Sequence, residues 1–148
     1  MIPIPNHIRR LANIIRKQLD IPNKSPLTRE MLEYLITSLD GKLDFQELNP
    51  DIIAQINKID NNKFEIIINK NISEEDKSLK IAEELGHLFL HMGFITNDEQ
   101  WSKNKKYTDS VYYRIGYSIE AYEANCFAKV LLNSKDYCKK EEAQQLSL

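Results

Sequence analysis

No stretch of this chain is apolar for long enough to cross a membrane, which takes about 20 consecutive apolar residues. The opening segment MIPIPNHIRR carries no apolar core of the kind a signal peptide has. An excess of positive charge is missing too: 20 lysines and arginines stand against 22 aspartates and glutamates, a net charge of −2. With no basic face, there is no electrostatic footprint for nucleic acid, and direct binding to it is not expected. Cysteine is nearly absent. Cys126 and Cys138 are the 2 present; with no export signal they are expected as reduced thiols, Cys126 buried on a helix. Internal repeats and low-complexity linkers are lacking as well. The expectation is a soluble, cytoplasmic protein without a membrane partner. What remains is a chain of 148 residues, 42% hydrophobic and 28% charged, enough for one domain over 1–148 with its own core.

Apolar periodicity gives an α+β reading: a small antiparallel sheet flanked by helices. N-terminal helices occupy 1–40. The first carries the stripe Ile8, Leu11, Ile14, Ile15 and Leu19 from about Pro5 to Asp20. The second starts near Ser25 or Thr28 and stops before Gly41. The sheet falls in 42–70. LDFQEL is a weak strand and DIIAQINKI a better one, while KFEIIIN is strongly β-branched and follows a turn at Asp60-Asn61-Asn62. Ser73 reads as the N-cap of a helix over 73–92, with Asp76 in a capping-box-like position and Gly93 as its stop. Residues 94–110 read as an exposed, lysine-rich loop, with Lys103, Lys105 and Lys106 solvated. A last helix spans 112–132, and 134–148 is a polar, flexible tail.

The chemistry lies in IAEELGHLFLH, residues 81–91. Glu83, His87 and His91 recur every four residues, about 40° apart around a helix axis, and Glu84 lies about 60° from His87. Leu79, Ile81, Leu85 and Leu88 to Leu90 supply an apolar remainder that belongs in a core. A polar stripe on such a helix needs partners, since each unpaired buried group costs roughly 1–3 kcal/mol. A metal ion is one such partner. The pattern is close to the zinc-protease helix H-E-x-x-H but reads E-E-x-x-H. His87 and His91 offer a shifted pair of the same spacing, though Leu88 then stands where a base is needed. His91 taken singly reads as a helix-end histidine and His7 as a surface residue. Gly86, a poor helix former, suggests the close approach of another segment. The tyrosines Tyr107, Tyr112, Tyr113 and Tyr117 read as packing. In IEAYEANCFAKVLL, Glu120 and Glu123 are the carboxylates able to face the first helix.

KIAEELGHLFLH, the preceding KFEIIINKNISEEDKSL, and Glu123-Ala124-Asn125-Cys126-Phe127-Ala128 in the last helix carry a resemblance. Over about residues 30–133 the chain resembles the ImmA/IrrE family of metallopeptidases, which show A-H-E-L-G-H followed by an E-A-N/D-x-F-A helix. The resemblance implies a zincin-like active-site helix and a zinc cofactor. It implies Glu84 as general base, His87 and Glu123 as metal ligands, and Glu83 in the place of the first histidine ligand. It also implies a protein substrate, a helix-turn-helix repressor of a phage or mobile element. Glutamate ligates zinc at about 2.0–2.2 Å, so its reach suffices. Two carboxylates nevertheless neutralise a divalent ion and acidify its water less, making a poorer nucleophile. Two readings therefore stand: a metallo-endopeptidase with a degenerate EExxH site, and an inactive pseudo-protease that binds a repressor.

Overall fold

Thr28 and Ser73 start two of the helices. Each hydroxyl accepts a hydrogen bond from the backbone N–H three residues on, at Met31 and Asp76, satisfying a donor that a helix start leaves open. The computed structural model describes residues 3–22, 24–111 and 118–133, and these caps begin α2 (Arg29–Ser38) and α3 (Glu74–Leu90). Before them runs α1 (Asn6–Gln18). The α3 chain ends at His91 and turns back through Gly93, whose φ of +83° suits glycine; a Cβ there would stand 2.7 Å from the Asn97 carbonyl oxygen. A short α4 (Asp98–Lys103) follows, and Ser118 caps α5 (Ile119–Leu132). The expected start of that last helix at 112, the tyrosines Tyr112, Tyr113 and Tyr117, and Cys138 with the tail 134–148 lie outside the described residues.

Among the described residues the sheet has four strands: β1 (Gly41–Gln46), β2 (Ile52–Asp60), β3 (Lys63–Asn69) and β4 (Lys106–Ser110). β2 and β3 form the antiparallel hairpin, with Ile56 opposite Ile66 and Ala54 opposite Ile68. β3 then slots in beside β1, and the two run parallel with Gly41 opposite Phe64. The order is β1-β3-β2-β4, so the α+β sheet is mixed and not purely antiparallel. Two chain reversals separate β1 from β3, and this returns β3 to the direction of β1.

The segment 94–110 departs from the expected loop. Asn97 caps α4 by accepting from the Gln100 N–H. Trp101 is buried; its indole Nε1 donates to the Asn61 carbonyl at 2.6 Å, and Phe94 meets it edge-on with ring centroids 5.0 Å apart. Lys58 lies over the Trp101 ring and donates to its carbonyl. With that anchor in place, Lys106–Ser110 adds to the hairpin, Tyr107 opposite Ile56 and Asp109 opposite Ala54. The exposed lysines hid two apolar anchors, Phe94 and Trp101, and two inward side chains, Tyr107 and Asp109.

α3 contacts β2 and β3 on one side and α5 on another, while α1 packs on α5. One core joins Ile8, Leu32, Ile66, Leu85, Leu88 and Phe127 across these layers. This central position, more than its own composition, decides what happens to α3.

Candidate metal centre

A helix packed between a sheet and another helix has almost no solvent face, and every residue of α3 from Lys80 to Phe89 is buried. The polar members of that run are Lys80, Glu83, Glu84 and His87, and their burial would be costly without partners. Glu84 and His87 stand at i and i+3 and so project from one side of the helix. From β4, Asp109 enters the same space, because Tyr107 and Asp109 are two residues apart on a strand and point the same way.

Glu84, His87 and Asp109 each offer a ligand atom, and these atoms all lie within 4.8 Å of one another. All three side chains are buried, Glu84 completely. His87 Nε2 is 3.8 Å from Asp109 Oδ2. Among the described residues, neither oxygen of Glu84 meets a hydrogen-bond donor. What faces it is another acid, and two carboxylates can bond only through a proton held between them. Burial first, then Asp109, then Glu83 push the Glu84 carboxyl well above the usual carboxylate range. Burial raises Asp109 as well, but its bond with Glu84 pulls it back, so the proton belongs on Glu84. His87 is the opposite case: burial and the neighbouring His91 pull it down to about 3, keeping it neutral at pH 7. Two acids and a neutral imidazole, closed off from water, could hold a metal ion. The orphaned Glu84 oxygens are what a cation would satisfy, so the donor set fits one.

Beside this group runs a second set of contacts. His87 Nδ1 and His91 Nδ1 are 2.8 Å apart, and His91 Nε2 is 3.2 Å from Glu123 Oε1. Tyr107 lies across both rings, stacked on His87 at 4.4 Å between centroids and on His91 at 6.1 Å. Its hydroxyl donates to Glu120 Oε1 at 3.2 Å. Burial, then Glu120, raises the Tyr107 phenol further above its already high range, so the hydroxyl keeps its proton and remains a donor.

Of the residues expected from the sequence, the structure brings Glu84 and His87 together. Glu123 is placed against His91. Glu83 accepts from the Lys80 Nζ at 3.2 Å, both side chains buried. Burial and Asp109 push the Glu83 carboxyl up to about 8 against the pull of Lys129. Glu120 serves Tyr107, and His7, largely exposed, comes within 4.0 Å of the second oxygen of Glu123. Sequence reasoning did not find Asp109. Its one signal is the alternation in Lys106-Tyr107-Thr108-Asp109-Ser110, which lysines on both sides obscure. In comparisons with known proteins, no family model matches the chain, and no curated protein matches it at a significant level.

Proposed function

We propose that this chain is a zinc-metallopeptidase-like protein in which Glu84, His87 and Asp109 hold the ion. The observation that supports this reading is the convergence of three buried ligand side chains, one of them, Glu84, with no donor at either oxygen among the described residues. Zinc suits a mixed imidazole and carboxylate set, and the EExxH helix and the EANCFA helix resemble those of ImmA/IrrE peptidases. When bound, zinc supplies a Lewis acid that polarises a carbonyl. The chain's own residues do the rest. His87 offers a neutral nitrogen, Asp109 a carboxylate, and Glu84 an oxygen that holds a proton until a cation displaces it. Lys80 keeps the Glu83 carboxyl engaged within α3. The substrate class proposed with this reading is a helix-turn-helix repressor of a phage or mobile element.

A second reading has its own support. Catalytic zinc sites keep an open position, whereas Glu84 has no exposure at all and Glu83 is tied to Lys80. A pseudo-protease that binds a repressor without cutting it would have such a closed site. One set of measurements addresses both. Dialysis of the purified protein against micromolar zinc is expected to leave one ion per chain, and both Glu84→Gln and Asp109→Asn should lose it. A folded protein that takes up no zinc would sink the metal reading. Cleavage of a repressor encoded beside the gene, abolished in Glu84→Gln, would favour the peptidase. Zinc-dependent capture of that repressor without cleavage would favour the binder.

A further inference from the structure

We propose that this chain self-associates as a two-fold dimer in which the solvent face of α1 in one copy packs on the solvent face of α2 in the other. The contact uses none of the clustered ligand residues, so it is independent of the metal reading above.

The balanced total charge conceals a local excess. Four of the 20 basic residues and none of the 22 acidic ones fall in the first 19 positions. Of the four, Arg16 turns inward to the Leu131 carbonyl, while Ile8, Ala12 and Ile15 bury that same side of α1 in the core. Arg9, Arg10 and Lys17 are left exposed. On the other helices every described cation has a partner. Arg29 meets Glu33 and Glu74, Lys77 meets Glu74, Lys80 meets Glu83, Lys103 meets Glu99, and Lys129 is engaged as well. Among the described residues, Arg9, Arg10 and Lys17 form no ion pair. Seven positions separate Arg10 from Lys17, about 20° around the axis and about 10.5 Å along it. Between them stands Ile14, 50% exposed.

α2 carries the complement at the same spacing. Leu32, Leu35 and Ile36 face inward, which leaves Glu30, Tyr34 and Thr37 in a row on the solvent side. Their i, i+4, i+7 pattern is that of Arg10, Ile14 and Lys17. Glu30 forms no ion pair among the described residues, and the exposed acids Glu33 and Asp40 flank the row. Tyr34 is 67% exposed and Met31 39%. Ile14, Met31 and Tyr34 are thus three of the six large apolar side chains exposed among the described residues, and all three lie on these two faces.

Set against each other, the two rows place Ile14 on Tyr34 of the partner subunit and bring cations to acids around them. An apolar centre within a rim of opposite charges is the ordinary anatomy of a protein interface. Other occupants fit less well. A bilayer needs a broad apolar face, and α1 offers Ile14 alone. A phosphate backbone would use the cations but leave Ile14 and the acidic α2 face without a counterpart. Reciprocal contacts, each copy's α1 on the other's α2, satisfy both faces at once and close the assembly at two.

Sedimentation equilibrium of the metal-free full chain, over a concentration series, tests this by charge reversal. The wild type should dimerise at low salt, and added sodium chloride should weaken the dimer. Arg10→Glu with Lys17→Glu should weaken self-association at least about tenfold, and so should Glu30→Lys with Thr37→Lys, because like charges then meet. Mixed in equal amounts, the two double variants should form a heterodimer of near wild-type strength, since each contact again joins opposite charges. All four positions are exposed, so circular dichroism melts should match wild type; Ile14→Ser, which should also weaken the dimer, replaces a double variant that melts early. A wild type that stays monomeric at every concentration, reversals without effect, or a mixture that does not recover overturns the proposal. A monomeric chain that binds duplex DNA or anionic vesicles, and loses this with Arg10→Glu and Lys17→Glu, assigns the face to phosphate and overturns it too. A wild type that dimerises but takes up no zinc refutes the metal reading and leaves the dimer standing.

Discussion

Gly86 of α3 lies directly against Ala124 of α5. A Cβ on Gly86 would stand 3.0 Å from the Ala124 Cα, 3.2 Å from its carbonyl oxygen and 3.2 Å from Phe127 Cδ1. The two helices thus meet backbone to backbone, and their neighbours in sequence, His87 on one and Glu123 on the other, are drawn toward the same point. The missing side chain is what allows Glu123 to reach His91.

Gly86→Ala sets two effects against each other. Alanine gains about 1 kcal/mol of helix propensity, and overpacking costs about 1–3 kcal/mol. Two of the three atoms it would press on are backbone, which cannot swing aside, so the cost should win by about 1 kcal/mol. Gly86→Val should lose more, and both should weaken zinc uptake as α5 is pushed outward. Urea midpoints check the first expectation. A stabilised Gly86→Ala protein would contradict the close crossing.

Asp109→Asn should separate the metal from the fold. In the metal-free protein the amide can donate to Glu84, which removes an acid–acid contact, so thermal stability should hold or rise. Zinc affinity should fall steeply, because a charged ligand is gone. Calorimetry without zinc and isothermal titration with it report the two effects separately. Loss of stability together with unchanged zinc affinity would remove Asp109 from the site.

The pH dependence of the metal-free protein follows from the same burial. Glu83 is raised from 4.5 to about 8, so its contribution to stability is complete below 4.5 and is lost as pH rises toward 8, and the raised Glu84 acts in the same direction. His87 is lowered from 6.5 to about 3, so its contribution is complete above 6.5 and is lost as pH falls toward 3. Below 4.5 the histidine sets the slope; above 6.5 the acids act alone. Metal-free stability should therefore peak near pH 4.5 and fall most steeply between 6.5 and 8. Zinc should restore the loss at pH 8 by taking the place of the protons. Melting temperatures measured with chelator and with zinc decide it, and a flat chelator profile from pH 5 to 8 would count against the buried acid cluster.

Arg16 makes a prediction remote from the site. Its guanidinium donates to the Leu131 carbonyl at 2.6 Å, to Pro22 at 3.1 Å and to Ser25, tying α1 and its following turn to the end of α5. Hydrogen bonds to a charged group are worth about 1.5–3 kcal/mol each, and Arg16→Met also leaves buried carbonyls unpaired. A loss of about 3 kcal/mol in denaturant unfolding is expected, with the zinc affinity of the folded protein unchanged. A loss under about 0.5 kcal/mol, the range of an ordinary surface change, would show the clamp to be ornamental.

What could be read in advance was local. Ser73 with Asp76, Gly93 after His91, and the Asn61-Asn62 turn are decided by neighbours within a few residues, and the structure shows each as a cap, a stop or a turn. Gly86 announced a close approach for the same reason. The rest depends on pairing across the chain. Nothing in Lys106–Ser110 says that Trp101 anchors it beside β2, so neither the fourth strand nor Asp109 could be seen. The parallel placement of β1 is likewise a property of the assembled sheet. For Glu123, helix spacing put a carboxylate opposite the motif but carried no information on whether it would meet an ion or an imidazole. One ring, His91, decides that, and it lies at the α3 terminus, where periodicity is weakest.

Among the described residues, β4 is an edge strand, hydrogen-bonded to β2. Of the three clustered ligand residues, two sit on the most deeply enclosed helix and the third on this margin. An ion held between them would be gripped by parts of very unequal permanence. Peeling back five residues would withdraw Asp109 while α3 and the core stay folded. The lifetime of the bound metal is then set by the fraying of one short ribbon, and exchange can be fast in a protein that rarely unfolds.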